Sequence, residues 1–133
     1  MKSQDVVVYA YAGCSTCRTA LKWLDGHGAK PAVVPITERP PSAAELVRLI
    51  DKSGLPARKW WNTSGEAYRA LVRERGKDAV AALGTEEIAA LLCENGKRIK
   101  RPVLVAGDTV LVGFDPDAYE RALGPRTPVG SRR

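Results

Sequence analysis

Only three cysteines occur in the 133 residues, at positions 14, 17 and 93. Three thiols cannot all pair with one another, which argues against a framework of structural disulfides. Histidine is scarcer still, with His27 alone. A zinc site would have to combine it with Cys14, Cys17 and Cys93, and a second Cys-x-x-Cys is missing. No metal is therefore expected. No apolar stretch approaches the length of a membrane span, and Met1 to Asp5 shows no signal-peptide pattern. The expectation is a cytoplasmic chain with no membrane attachment, whose free thiols stay reduced. Internal repeats and low-complexity segments are lacking as well.

What is present suits one ordinary soluble domain. Hydrophobic residues make up 44% and charged residues 27%, enough to bury a single core. The net charge is +6. The excess concentrates between Arg69 and Lys77, between Lys97 and Arg101, and in the tail at Arg126, Arg132 and Arg133. A solvated basic surface accounts for it. So does attraction to a small oxyanion or to nucleic acid, and charge alone does not choose.

Val6 to Tyr11 is short, rich in β-branched residues and bounded by Gly13, so it predicts a buried strand. Ser15 to His27 follows as a helix, with Leu21 and Leu24 on the face of Cys14 and Cys17. Ala32 to Ile36 predicts a second strand, which makes a βαβ unit with parallel strands. A helical block is expected over residues 42–95. Ser42-Ala43-Ala44-Glu45 reads as a capping box. A short helix is expected over Ala57 to Trp61. Thr63 or Ser64 is the expected cap of the next helix, with Ala67, Ala70 and Leu71 on its apolar side. Thr85 is the expected cap of the one after it, with Ile88, Leu91 and Leu92 inward. Strands return at Val103 to Val105 and Thr109 to Val112 around a Gly107-Asp108 turn. Ala118 to Leu123 closes the domain as a helix, and residues 124–133 read as a flexible basic tail. The order predicts an α/β fold of thioredoxin type: a four-stranded mixed sheet with a helical insertion between strands 2 and 3, one domain over residues 1–123.

Cys14 and Cys17 stand where the first strand hands over to the first helix. That context reads as a redox site. A thiolate is the nucleophile, and a helix N-terminus favours its negative charge. Arg18, one turn on, would add positive charge. Cys17, within the first turn, would be the second thiol that resolves a mixed disulfide. Two unremarkable core cysteines are the simplest alternative, and a redox switch without catalysis is another. Cys93 reads as a buried structural thiol and His27 as a surface residue at a helix end. Of Trp60 and Trp61, one exposed indole could anchor a partner, although packing in the core is the simpler expectation.

Pro102 stands at a strand start, the position a proline tolerates, and X–Pro bonds are those that adopt cis readily. A cis-proline at this point of such a fold faces the active-site thiol, which would bring Arg101 close to Cys14. A guanidinium there would bind an oxyanion or stabilise the thiolate.

Five stretches together resemble the arsenate reductase (ArsC)-like family, which also includes Spx-type transcriptional regulators. They are Tyr11-Ala12-Gly13-Cys14-Ser15-Thr16-Cys17-Arg18, Pro40-Pro41-Ser42, Asn62-Thr63-Ser64-Gly65-Glu66-Ala67-Tyr68-Arg69, Ile99-Lys100-Arg101-Pro102-Val103 and Val112-Gly113-Phe114. The resemblance implies that Cys14 is the nucleophile, that Arg101 contacts the oxyanion beside Pro102, and that Cys17 is the second cysteine of the Spx-type branch. It also implies departures. The family's reductases surround the oxyanion with three arginines. Asn62 stands at the position of one here, and another falls near Gly113-Phe114. One retained arginine implies weak arsenate binding, because each lost charge-assisted bond costs roughly 1.5–3 kcal/mol. The expected oxyanion-binding set is Arg18, Arg101, Pro102 and Asn62.

Two functions follow from the resemblance. One is a thiol-dependent oxidoreductase acting on an oxyanion or a disulfide. It holds no bound cofactor and draws on an external thiol donor such as glutathione, glutaredoxin or thioredoxin. The other is a redox-sensing regulator that binds the RNA polymerase α-subunit.

Overall fold

A computed structural model describes residues 6–123 of the chain. The expected basic tail, with Arg126, Arg132 and Arg133, and the start of the chain at Met1 to Asp5 lie outside the described residues. Two compact units emerge. One comprises the chain up to Val34 together with the chain from Arg101 onward, and the other is Pro35–Lys100. The second unit contains the helical insertion expected over residues 42–95. No helix among the described residues is long and apolar enough to cross a membrane.

The strands are β1 (Val6–Ala10), β2 (Ala32–Pro35), β3 (Val103–Ala106) and β4 (Thr109–Val112), all in the first unit but for Pro35 at the end of β2. They form the mixed four-stranded sheet, in the order β2-β1-β3-β4. β1 alternates buried and half-buried residues, as a pleated strand with side chains on both faces requires. Its antiparallel register against β3 pairs Val8 with Leu104 and Tyr9 with Val103. Extended by two residues, that register sets Tyr11 opposite Arg101. The helix α1 (Ser15–Gly26) buries Cys17, Ala20 and Leu24 in the core formed by Val6, Val8, Ala10, Leu104 and Tyr119. Leu21 is half-buried against the same core. The last helix, α6 (Pro116–Leu123), begins two residues earlier than expected, with Asp115 Oδ1 accepting from the Asp117 N–H at 3.1 Å.

The second unit is helical: α2 (Ala43–Ser53), α3 (Glu66–Arg75), α4 (Lys77–Ala81) and α5 (Thr85–Glu94), with 3-10 turns at Ala57–Trp60 and Gly96–Arg98. α2 packs on α5, burying Leu46, Leu49 and Ile50 from one and Ile88, Leu91 and Leu92 from the other. The structure corrects several local expectations. Ser42 caps α2 by accepting from the Glu45 N–H at 3.1 Å, but the Glu45 carboxylate turns to Arg48, so the capping box is half made. Gly65, not Thr63 or Ser64, is the N-cap of α3. Gly84, not Thr85, precedes α5, and Glu87 Oε1 reaches back to accept from its N–H at 2.8 Å. Leu71 is buried, but Ala70 is exposed. Neither tryptophan is exposed. Trp60 is 0% and Trp61 4% accessible, with Trp60 Nε1 donating to Ser53 Oγ and Trp61 against the Tyr68 ring. The sequence suggested neither α4 nor the 3-10 turn at Gly96–Arg98.

Gly96 shows how tightly this unit is closed. A Cβ there would overlap the Ile36 carbonyl oxygen and stand 2.8 Å from the Ile36 carbonyl carbon. Both contacts are backbone, so no flexible side chain can give way. Gly96→Ala is expected to destabilise the fold by about 2–3 kcal/mol, the scale of an overpacked core position. Urea unfolding measures this as a lower midpoint at unchanged slope.

Candidate functional site

β1 ends at Ala10, and a turn closed by the Cys14 N–H donating to the Tyr11 carbonyl at 3.0 Å delivers Cys14 to the N-cap of α1. Cys14 has extended backbone angles there, and its Sγ accepts from the Cys17 N–H at 3.2 Å. The thiol thus occupies the place of a capping oxygen, facing amide donors that the helix leaves unpaired. No acidic residue stands in the first turn of α1 to compete for them. Cys14 is half-buried, whereas Cys17 is only 1% accessible.

The same register carries the cation. The Arg101–Pro102 peptide bond is cis, and the Arg101 guanidinium lies 5.1 Å from the centre of the Tyr11 ring, within cation–π range. It also hydrogen-bonds Cys14. Burial opposes the Cys14 thiolate. The hydrogen bonds from the Cys17 side chain and N–H and from Arg101, with the Arg101 charge, outweigh that cost and hold its pKa below the ordinary thiol value. Cys17 moves the other way. Burial comes first, then its hydrogen bond to Cys14 and the Cys14 charge, and its pKa is pushed up to about 12. The two thiols are thus differentiated: one poised to ionise, the other kept protonated.

Arg18 is exposed, and its Nη1 donates to the Ala12 carbonyl at 2.8 Å, bracing the loop before Cys14. Asn62 belongs to the helical unit. Its Nδ2 donates to the Lys97 carbonyl at 3.3 Å, and its N–H to the Arg98 carbonyl. Cys93, in the same unit, is half-buried rather than buried. His27 is exposed and stacks on Trp23 with ring centroids 3.7 Å apart. No group of three or more potential metal ligands assembles among the described residues. Tyr11 was missed as a site residue, because its place beside Arg101 follows from the pairing of β1 with β3, which no local turn sets.

A strand-to-helix cysteine pair with one depressed thiol, on this mixed sheet, defines a thiol protein of the thioredoxin-like fold. More closely, the chain belongs to the ArsC family, whose model matches residues 9–122. It is 43% identical over 116 residues to the uncharacterized protein YusI of Bacillus subtilis, covering 87% of this chain and 96% of that one. A solved ArsC family related protein from Bacteroides fragilis is 36% identical, with a TM-score of 0.82 and coverage of 91% of this chain and 99% of that one. An arsenate reductase of Acidiphilium multivorum is 28% identical over 101 residues, 76% of this chain and 68% of that protein.

Proposed function

We propose that this chain is a thiol-dependent oxidoreductase in which Cys14 attacks and Cys17 resolves, with a disulfide as the favoured substrate and an arsenate-like oxyanion as the weaker one. The observation that carries this reading is the differentiated pair at the N-terminus of α1: a half-buried, depressed Cys14 beside a buried Cys17 held near 12. The Cys14 thiolate attacks one sulfur of the substrate disulfide. An S–S bond forms to Cys14, the old S–S bond breaks, and the other sulfur leaves as a thiolate. Cys17 then loses its proton to solvent and attacks Cys14 Sγ, releasing the second substrate thiolate and leaving a Cys14–Cys17 disulfide. An external thiol donor of the glutathione, glutaredoxin or thioredoxin kind supplies two electrons and restores both thiols.

The high pKa of Cys17 does not block its step. Two of its causes, the hydrogen bond to Cys14 and the Cys14 charge, exist only while Cys14 is a free thiolate. Once Cys14 is in a mixed disulfide they vanish, and Cys17 becomes easier to ionise when it is needed. The preference for a disulfide rests on charge. Arg101 is the one guanidinium among the causes that depress Cys14, while Arg18 is engaged with Ala12. A doubly charged oxyanion asks for more cations than a neutral disulfide does.

The test compares wild type with Cys17→Ser on arsenate and on a model disulfide. Wild type is expected to turn over the disulfide and pass through a Cys14–Cys17 bridge seen by mass. Cys17→Ser should accumulate a mixed disulfide at Cys14 that a small monothiol releases. Absence of any Cys14 adduct with either substrate overturns the reading. The regulator alternative uses the same pair as a switch. It predicts a bridge that forms and reverses with redox conditions, and RNA polymerase α-subunit binding that follows it, without steady-state turnover.

A further inference from the structure

Tyr119 lies in α6 and plays no part in the chemistry above, yet its hydroxyl is the start of a hydrogen-bonded path to the thiol. It is 1% accessible, and its O–H donates to the Gly113 carbonyl at 3.0 Å. The Gly113 N–H in turn donates to the Pro102 carbonyl at 2.8 Å, one step beyond the last paired residues of β3 and β4, Val103 and Val112. Pro102 carries Arg101 on its other side, and Arg101 hydrogen-bonds Cys14. Gly113 itself adopts φ +87, a conformation that a side chain would strain. The Tyr119 ring is fixed independently of its hydroxyl, edge-on to Phe114 at 4.9 Å and to Trp23 at 5.9 Å.

We infer that Tyr119 is a positioning residue: its hydroxyl clamps Gly113, and through Gly113 and Pro102 it fixes the backbone from which Arg101 reaches Cys14. A merely structural hydroxyl would satisfy one buried carbonyl and no more. The clamp differs because both groups of one peptide residue are used. The carbonyl is held by α6, and the N–H holds the segment that carries the cation. This inference rests on Cys14 as the attacking thiolate. It requires no particular substrate.

The experiment is Tyr119→Phe, which keeps the ring and its edge-on contacts. The ionisation of Cys14 is read from the pH dependence of its alkylation by iodoacetamide, with the modified site identified by peptide mass. In Tyr119→Phe the midpoint is expected to move up toward the free-thiol value, so that alkylation below the midpoint slows several-fold. Arg101→Gln alone should move it in the same direction. Tyr119→Phe added to Arg101→Gln should then move it little further, because the cation that the clamp positions is already gone. An unchanged midpoint in Tyr119→Phe, with only a lower melting temperature, overturns the proposal. So does an equal shift in the Arg101→Gln background, which would mean that the hydroxyl acts on Cys14 by another route. Because alkylation needs no turnover, a failure of the proposed reductase activity leaves this test intact.

Discussion

Cys14→Ser is expected to abolish turnover, lowering it by roughly 10³-fold or more, the scale of removing a nucleophile from a site that otherwise remains built. The reason is chemical rather than structural. Oxygen replaces sulfur at a helix N-cap, where serine is a favoured residue, so the fold should hold or gain slightly. Serine, however, remains un-ionised where a depressed thiol gives up its proton. Two readings check the result. The fast phase of iodoacetamide labelling should disappear, because Cys17 is buried and protonated. Far-UV circular dichroism and the melting temperature should stay at the wild-type values or above. A Cys14→Ser protein that still reduces disulfides would move the nucleophile to another cysteine and end the assignment.

The placement of the two candidate cysteines was legible because it is local. Two cysteines three apart after a β-branched run fix an N-cap and a first turn without help from the rest of the chain. Arg101 is distant in sequence and was placed near Cys14 only through the fold type, in which a cis-proline at the position of Pro102 faces the thiol; that β3 pairs directly with β1 is what the structure adds. The hairpin around Gly107-Asp108 set the register of β3 against β4 alone. What stayed hidden depended on tertiary choice. Thr63, Ser64 and Thr85 all have capping side chains, but the helices begin after Gly65 and Gly84, where packing and the Glu87 carboxylate decide the start. Glu45 faced a similar competition, and the nearby arginine won its carboxylate over the backbone. Trp60 and Trp61 are adjacent, and alternation would expose one of them. Both are buried because a 3-10 turn ends at Trp60 and Trp61 then bridges to Ile99. Tyr119 escaped notice for the same kind of reason: its partner is a main-chain carbonyl, and no sequence pattern marks one.

The difference in stability between wild type and Cys17→Ala should depend steeply on pH above 9. In the folded protein Cys17 keeps its proton up to about 12, while in the unfolded chain it titrates near its ordinary value of 9.0. A raised folded pKa contributes stability that is fully present below the unfolded value and is lost as pH rises through the folded one. Between pH 9 and 12 the unfolded state binds fewer protons, so stability falls by up to about 1.4 kcal/mol per pH unit, roughly 4 kcal/mol in all. Cys14 has the opposite sign. Its folded pKa is depressed, so its contribution is complete above the unfolded thiol value and is lost only as pH falls through the folded one. In wild type it is therefore flat between pH 9 and 12. Tyr119 is also pushed up, by burial first and then by the Cys17 charge, and the burial part adds an alkaline loss to both proteins. The measurement is urea unfolding of the reduced proteins from pH 8 to 11. At pH 8 Cys17→Ala should be the less stable of the two, because it leaves a gap beside Ala20 and Leu24 in the core. As pH rises, wild type should lose stability faster, so that the gap between the curves closes and then reverses. Parallel curves would mean that Cys17 ionises as readily in the fold as outside it. The buried, protonated resolving thiol would then be lost, and with it the division of labour between the two cysteines.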